Sequence, residues 1–143
     1  MPNFSEQDLS DLAIPGASLA MLNFQGAVFD RSVLKETDFY NANLRKTKFR
    51  SAILDQARIY AKAIEADFSG ASLVKAKLRS SDFSRANFQN ANLTDADFTC
   101  SDIRGADFST ANLSGAIFAQ TNYDEKTLFP SGFKKGTGRV GRI

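Results

Sequence analysis

Residues 86–98 read Ala86-Asn-Phe-Gln-Asn-Ala-Asn-Leu-Thr-Asp-Ala-Asp-Phe98, one five-residue unit almost three times over. A large apolar residue, called the centre below, stands at Phe88, Leu93 and Phe98; a small residue precedes it by two, with Asn or Asp between them. The centres run back through Phe83, Leu78, Leu73 and Phe68, and forward through Ile103, Phe108, Leu113, Phe118 and Tyr123. Nearer the N-terminus the same spacing holds from Phe4, Leu9 and Ile14 up to Leu54 and Ile59. A period of five matches neither the 3.6 of an amphipathic helix nor the 2 of a plain strand. Small residue and centre, two apart, share one face of an extended segment, and the remaining two residues must turn the chain.

The chemistry of those two residues agrees. Gly16, Gly26, Gly70, Gly105 and Gly115 fill the second turn slot, where a type II turn needs positive φ, and Asn41 and Asn90 in the same slot tolerate it. Every fourth centre gives Phe29, Phe49, Phe68, Phe88, Phe108 in one column and Ile14, Leu34, Leu54, Leu73, Leu93, Leu113 in the next. Phe falls on Phe and Leu on Leu only when four pentapeptides close one coil. The sequence therefore predicts an all-β solenoid of square section, about six coils and roughly 25–30 Å long at the ~4.8 Å spacing of paired strands. No single repeat hides its own centre, so stability must come from stacked neighbours and covered ends.

The stretches Ala86-Asn-Phe-Gln-Asn90, Ala91-Asn-Leu-Thr-Asp95 and Ala111-Asn-Leu-Ser-Gly115 resemble the pentapeptide-repeat family, whose motif is written Ala-(Asp/Asn)-Leu-x-x. The resemblance covers about residues 4–123 and implies a right-handed quadrilateral β-helix. It also implies an alternative function, because some members mimic duplex DNA and bind or protect type II topoisomerases such as gyrase.

Four places depart from the pattern. Between Ile59 and Phe68 the period slips by one residue, so either Ile64 is a centre and Lys62 points inward, or Ala63 is the centre and Ile64 points outward. Leu12 and Leu22 occupy small-residue slots, and Ser5-Glu-Gln-Asp8 could cap a short helix, so residues 1–16 read as a cap or a degenerate first coil. Tyr123, Leu128, Phe129 and Phe133 cluster beyond the last regular repeat, where they close the core or form a homodimer contact. Residues 1–133 thus form one solenoid with a cap over 124–133, and 134–143, with Lys134, Lys135, Arg139 and Arg142, form a basic Gly-rich tail that reads as a flexible linker.

Catalytic chemistry finds little material here. The chain has no His, which removes the commonest general base and zinc ligand. Asp67, Asp82, Asp97, Asp102 and Asp107 all fall in the outward slot of the repeat, and Cys100, the one cysteine, sits in a turn. No catalytic, cofactor or metal constellation is expected, and no apolar run approaches the ~18 residues of a membrane span. The expectation is a cytoplasmic, non-catalytic module that binds or scaffolds a protein, with nucleic acid disfavoured as a partner. Residues 31–62 carry eight basic and three acidic side chains. Arg45, Lys46, Lys48 and Arg50, taken to surround one corner, together with Lys62 at the slip, are the candidate partner-binding residues.

Overall fold

Each pentapeptide lays down one side of a square. The computed structural model describes residues 1–134, and these wind as a right-handed quadrilateral β-helix. The residue between small residue and centre makes a parallel bridge to its equivalent one coil on, as in Asn3 with Asn23, Asp8 with Val28, Ala13 with Val33 and Ser18 with Asp38. Four columns of bridges define four faces: A (Asn3, Asn23, Asn43, Lys62, Asp82, Asp102, Asn122), B (from Asp8 to Leu128), C (from Ala13 to Asn112) and D (from Ser18 to Ile117). That is six full coils, with faces A and B begun a seventh time. The basic Gly-rich tail lies outside the described residues apart from Lys134.

The core is the stack of centres. Face B stacks Phe29, Phe49, Phe68, Phe88 and Phe108 with ring centroids 4.8–5.3 Å apart. Their planes lie within 7° of parallel, and the phenylalanines of faces A and D meet them edge-on, as Phe83 does Phe88 at 5.7 Å. This mix of offset stacking and edge contact is what aromatic quadrupoles favour. Alanines in the small slot, such as Ala27, Ala66 and Ala86, are buried beside them, because a larger side chain would collide with the adjoining centre.

Two hydrogen-bond sets hold the corners. Within a turn the small residue's N–H donates to the preceding centre's carbonyl, as Ala27 does to Phe24 at 2.9 Å. The bridging Asn or Asp then accepts the N–H two residues on, as Asp67 Oδ1 does from Ser69 (2.9 Å) and Asn112 Oδ1 from Ser114 (3.0 Å). The repeat's Asx residue is therefore a turn brace, which accounts for the recurring acids without any metal. The second turn residue is left-handed at most corners even when it is not glycine: Arg31, Lys46 and Gln56 have φ of 60°, 56° and 59°. Ladder bonds on both sides hold these residues where isolated chains would resist by roughly 1 kcal/mol each.

At each end the structure takes one of the alternatives that the sequence left open. Residues 1–16 form no helix; Phe4, Leu9, Ile14 and Leu19 are centres of a complete first coil, because pairing with the second coil outweighs a local cap. At the other end Asp124-Glu-Lys126 makes a corner one residue longer than usual, and Asp124 Oδ1 takes up the backbone N–H groups of Gly105, Lys126 and Thr127 at 3.0–3.1 Å. The chain then adds Phe129 to the face B stack, 6.0 Å from Phe108, and folds Phe133 back over it at 4.8 Å. Leu128, grouped with this apolar cluster from the sequence, instead bridges to Asp107 and points outward at 50% exposure.

Candidate functional site

The dislocation is a corner with one residue missing. Ile59 and Ala61 are separated by Tyr60 alone, where regular corners carry two residues. Ala63 is the centre and is fully buried, while Lys62 takes the outward bridge position and Ile64 lies at the surface edge. Of the two alternatives open in the sequence, the structure takes the one that keeps the lysine ammonium in water. Burying a lone charge costs far more than half-exposing an isoleucine.

A shortened corner cannot close its own turn bond, and a neighbouring hydroxyl replaces it. Ser81 Oγ, one coil on, accepts the Ala61 N–H at 2.9 Å and donates to the Ile59 carbonyl at 2.7 Å. Ser101 stands in the same relation to the following corner, accepting from Ser81 N–H at 3.3 Å and donating to Leu78 carbonyl at 2.5 Å. A ladder of buried hydroxyls, continued by Thr121, thus stitches the corner between faces D and A. Substituting Ser81→Ala strands a buried N–H and a buried carbonyl together. It should cost about 1–3 kcal/mol in urea unfolding, against little for Ser80→Ala, whose side chain is exposed.

The missing residue leaves a dent. A groove of about 610 Å³ runs along face A beside it, bordered by Asn41, Arg45, Tyr60, Lys62, Ser80 and Asp82. A second hollow of about 500 Å³, between Tyr40, Tyr60 and Arg79, opens next to it across the corner. Tyr40 and Tyr60 meet edge to face with centroids 6.4 Å apart, and the Arg58 guanidinium sits 5.8 Å from the Tyr60 ring. Tyr40 is 48% exposed. The result is a wall of aromatic edges and cations on a rigid scaffold.

The five basic residues singled out in the sequence do not lie around one corner. Arg45 and Lys46 sit at the corner between faces A and B, Lys48 on face B, and Arg50 around the next corner. Arg50 is neutralised by the nearly buried carboxylate of Asp30 at 2.5 Å, and Lys46 faces Glu65 at 3.8 Å. Arg45 and Lys62 border the same groove, and among the described residues neither makes an ion pair. The expected single corner is thus two corners and a face; Lys48 on face B is likewise without an ion pair among the described residues, and Arg45 and Lys62 are the two uncompensated cations that share the groove at the dislocation. Farther along face A the groove turns acidic with Asp82 and Asp102. Burial pushes the Asp102 carboxyl up, but the Arg104 side chain and backbone N–H outweigh it and hold the group below its ordinary value, so it stays ionised. Among the described residues no cluster of His, Cys, Asp and Glu could hold a metal ion, and no helix is long and apolar enough to cross a membrane. Cys100 is exposed and its thiol donates to Gln120 Oε1 at 3.2 Å.

Comparison with known families matches pentapeptide repeats in eight copies, over residues 17–56 and, in overlapping runs, 64–122. The chain belongs to the pentapeptide-repeat family. Among solved structures it is similar to QnrB1, a plasmid-mediated fluoroquinolone resistance protein, at 19% identity and a TM-score of 0.48, covering 99% of this chain and 90% of that one. The pentapeptide-repeat protein Rfr23 from the cyanobacterium Cyanothece 51142 is 20% identical with a TM-score of 0.38, over 89% and 90% of the two chains. A pentapeptide-repeat protein of the Arabidopsis thaliana thylakoid lumen is 28% identical with a TM-score of 0.36, over 74% and 68%. Comparison with the curated proteins found no match.

Proposed function

We propose that this pentapeptide-repeat chain is a non-catalytic binding module whose dislocated corner receives an acidic segment of a protein partner. The observation that carries this reading is the pairing of Arg45 with Lys62, two cations without internal partners, in the groove that the missing residue opens. Tyr40 and Tyr60 supply rigid, amphipathic contact area beside them. Because Asp82 and Asp102 continue face A, a polyanion tracking along the rod would be repelled, whereas a short acidic segment at the dislocation would not. The topoisomerase reading needs a continuous acidic track. Here several acids are tied to arginines, as Asp30 to Arg50, Asp97 to Arg79 and Asp102 to Arg104.

The test is fluorescence anisotropy with labelled peptides of alternating Glu and Tyr or of alternating Lys and Tyr. The acidic peptide should bind and the basic one should not. The double substitution Arg45→Glu with Lys62→Glu should weaken binding about tenfold or more, equivalent to roughly 1.4 kcal/mol. Lys35→Glu with Lys75→Glu changes net charge equally at the opposite corner and should leave binding nearly unchanged. Equal losses from both pairs would mean that only overall charge is being sensed.

A further inference from the structure

We infer that the hollow between Tyr40, Tyr60 and Arg79 is a pocket for one aromatic side chain of the partner, so that the recognised unit is an acid beside a ring. This rests on the reading that Arg45 and Lys62 take the acid, and it adds the direction in which the segment lies. Along the corner between faces D and A the second turn slot holds Met21, Asn41, then no residue, then Ser80, Cys100 and Gln120. Regular coils thus raise a ridge there, and the shortened coil cuts a notch through it. The two hollows meet at this notch, since Asn41, Tyr60 and Ser80 border both. Asn41 and Ser80 stand two coils apart, roughly 10 Å, the width one strand takes between two others.

Charge favours crossing the corner over running along the rod. Asp82 and Asp102 follow Lys62 on face A, so an acidic segment laid lengthwise would meet them within one or two coils. A segment that crosses the notch leaves its acid on Arg45 and Lys62 and brings its neighbouring side chains to the other side of the corner.

There the surface changes character. Tyr40 is exposed, and so is Met21 one coil earlier. In the column of first turn slots Tyr40 follows Ala20, whose methyl group covers little of the ring. Tyr60 is held between the Tyr40 ring, edge to face at 6.4 Å, and the Arg58 guanidinium at 5.8 Å. Arg79, tethered to Asp97 at 3.6 Å, borders the far side of the hollow. Such a hollow discriminates among apolar side chains. An incoming ring can stack on Tyr40 and against the Arg79 guanidinium, gaining quadrupole and cation–π contacts that an aliphatic side chain of equal area lacks.

The test is a titration of the chain, followed by its amide chemical shifts, with the peptide Glu-Glu-Tyr-Glu-Glu and with versions whose centre is Leu or Ala. The Tyr peptide should bind roughly twofold to tenfold more tightly than the Leu peptide, the range that aromatic pairing adds beyond buried area. Its shifts should fall at Tyr40, Tyr60 and Arg79 as well as at Lys62, and not at Asp102 and Asn122. Tyr40→Ala installs the residue that Ala20 and Ala119 already hold in the same slot of this corner, so the fold should tolerate it. It should weaken the Tyr peptide by a similar factor and leave the Ala peptide nearly unchanged, the signature of a direct contact. Equal affinity for all three peptides, with Arg45→Glu and Lys62→Glu still costly, overturns the pocket and spares the acid site. An equal loss of the Tyr and Ala peptides in Tyr40→Ala does the same. Shifts that run along face A to Asp102 and Asn122 overturn the crossing. Should no peptide bind, the acid site and the pocket fall together.

Discussion

Truncating Phe68 to alanine should cost about 3–5 kcal/mol, the range for emptying a buried phenylalanine site. Phe68 is fully buried in the face B stack, 5.0 Å from Phe49 and 4.9 Å from Phe88, with Phe83 edge-on at 6.0 Å. Its neighbours are themselves stacked above and below, so they cannot collapse into the void without breaking their own register. Ile53→Ala is the matched control. It removes a similar apolar side chain from an outward position that is 38% exposed, and surface changes of this kind usually stay within about 0.5 kcal/mol. Urea unfolding followed by circular dichroism reads both. In a rod whose stability is a sum of coils and nearest-neighbour interfaces, a void in a middle coil should also broaden the transition or split it. If Ile53→Ala proved the costlier change, the assignment of inward and outward faces would be wrong.

Restoring the missing corner residue should weaken recognition about tenfold or more while sparing the fold. Inserting Asn between Tyr60 and Ala61 gives Ile59-Tyr60-Asn-Ala61, the same order as Phe39-Tyr40-Asn41-Ala42 one coil earlier. Asn41 is left-handed there with φ of 55°, and the inserted Asn can take the same conformation. Ala61, Lys62 and Ala63 keep their slots, so every later bridge is preserved. The new turn makes its own N–H to carbonyl bond and frees Ser81 from bridging the gap. Stability should change by no more than about 1 kcal/mol, one ordinary hydrogen bond exchanged for another. The dent beside Tyr60, however, fills with the added turn, and Lys62 and Tyr60 no longer border a common recess.

How much of this was legible beforehand follows from what a five-residue period encodes. The square section and the Phe and Leu columns are visible because they need only counting. The dislocation is visible too, as a spacing of nine from Ile59 to Phe68 where ten is regular, but its resolution is not. Hydropathy favours Ile64 as the centre, whereas the cost of an inward Lys62 decides for Ala63, and that choice becomes plain only when the corner is seen to shorten. The ion pairs were readable in principle. Asp11 with Arg31, Asp30 with Arg50 and Glu65 with Arg85 are each twenty residues apart in matching turn slots, one coil of the solenoid. Lys46 and Glu65 are nineteen apart because the slip lies between them. Grouping Lys46 and Arg50 with Arg45 by nearness in sequence missed this, since the partners sit a whole coil away. The N-terminal capping pattern misled for the opposite reason. It is a local signal, and the first coil is decided by pairing with residues twenty positions on.

The central claim is that recognition belongs to the dislocation and not to the rod at large. Its most direct measurement is the affinity of the alternating Glu and Tyr peptide for the natural chain and for the chain carrying the inserted Asn, side by side under one buffer. Net charge, the outward side chains of every other face and the core columns are the same in both. A loss of about tenfold or more is expected in the insertion variant, with its urea midpoint nearly unmoved. Equal affinity in the two chains would contradict it and return the binding surface to the regular faces.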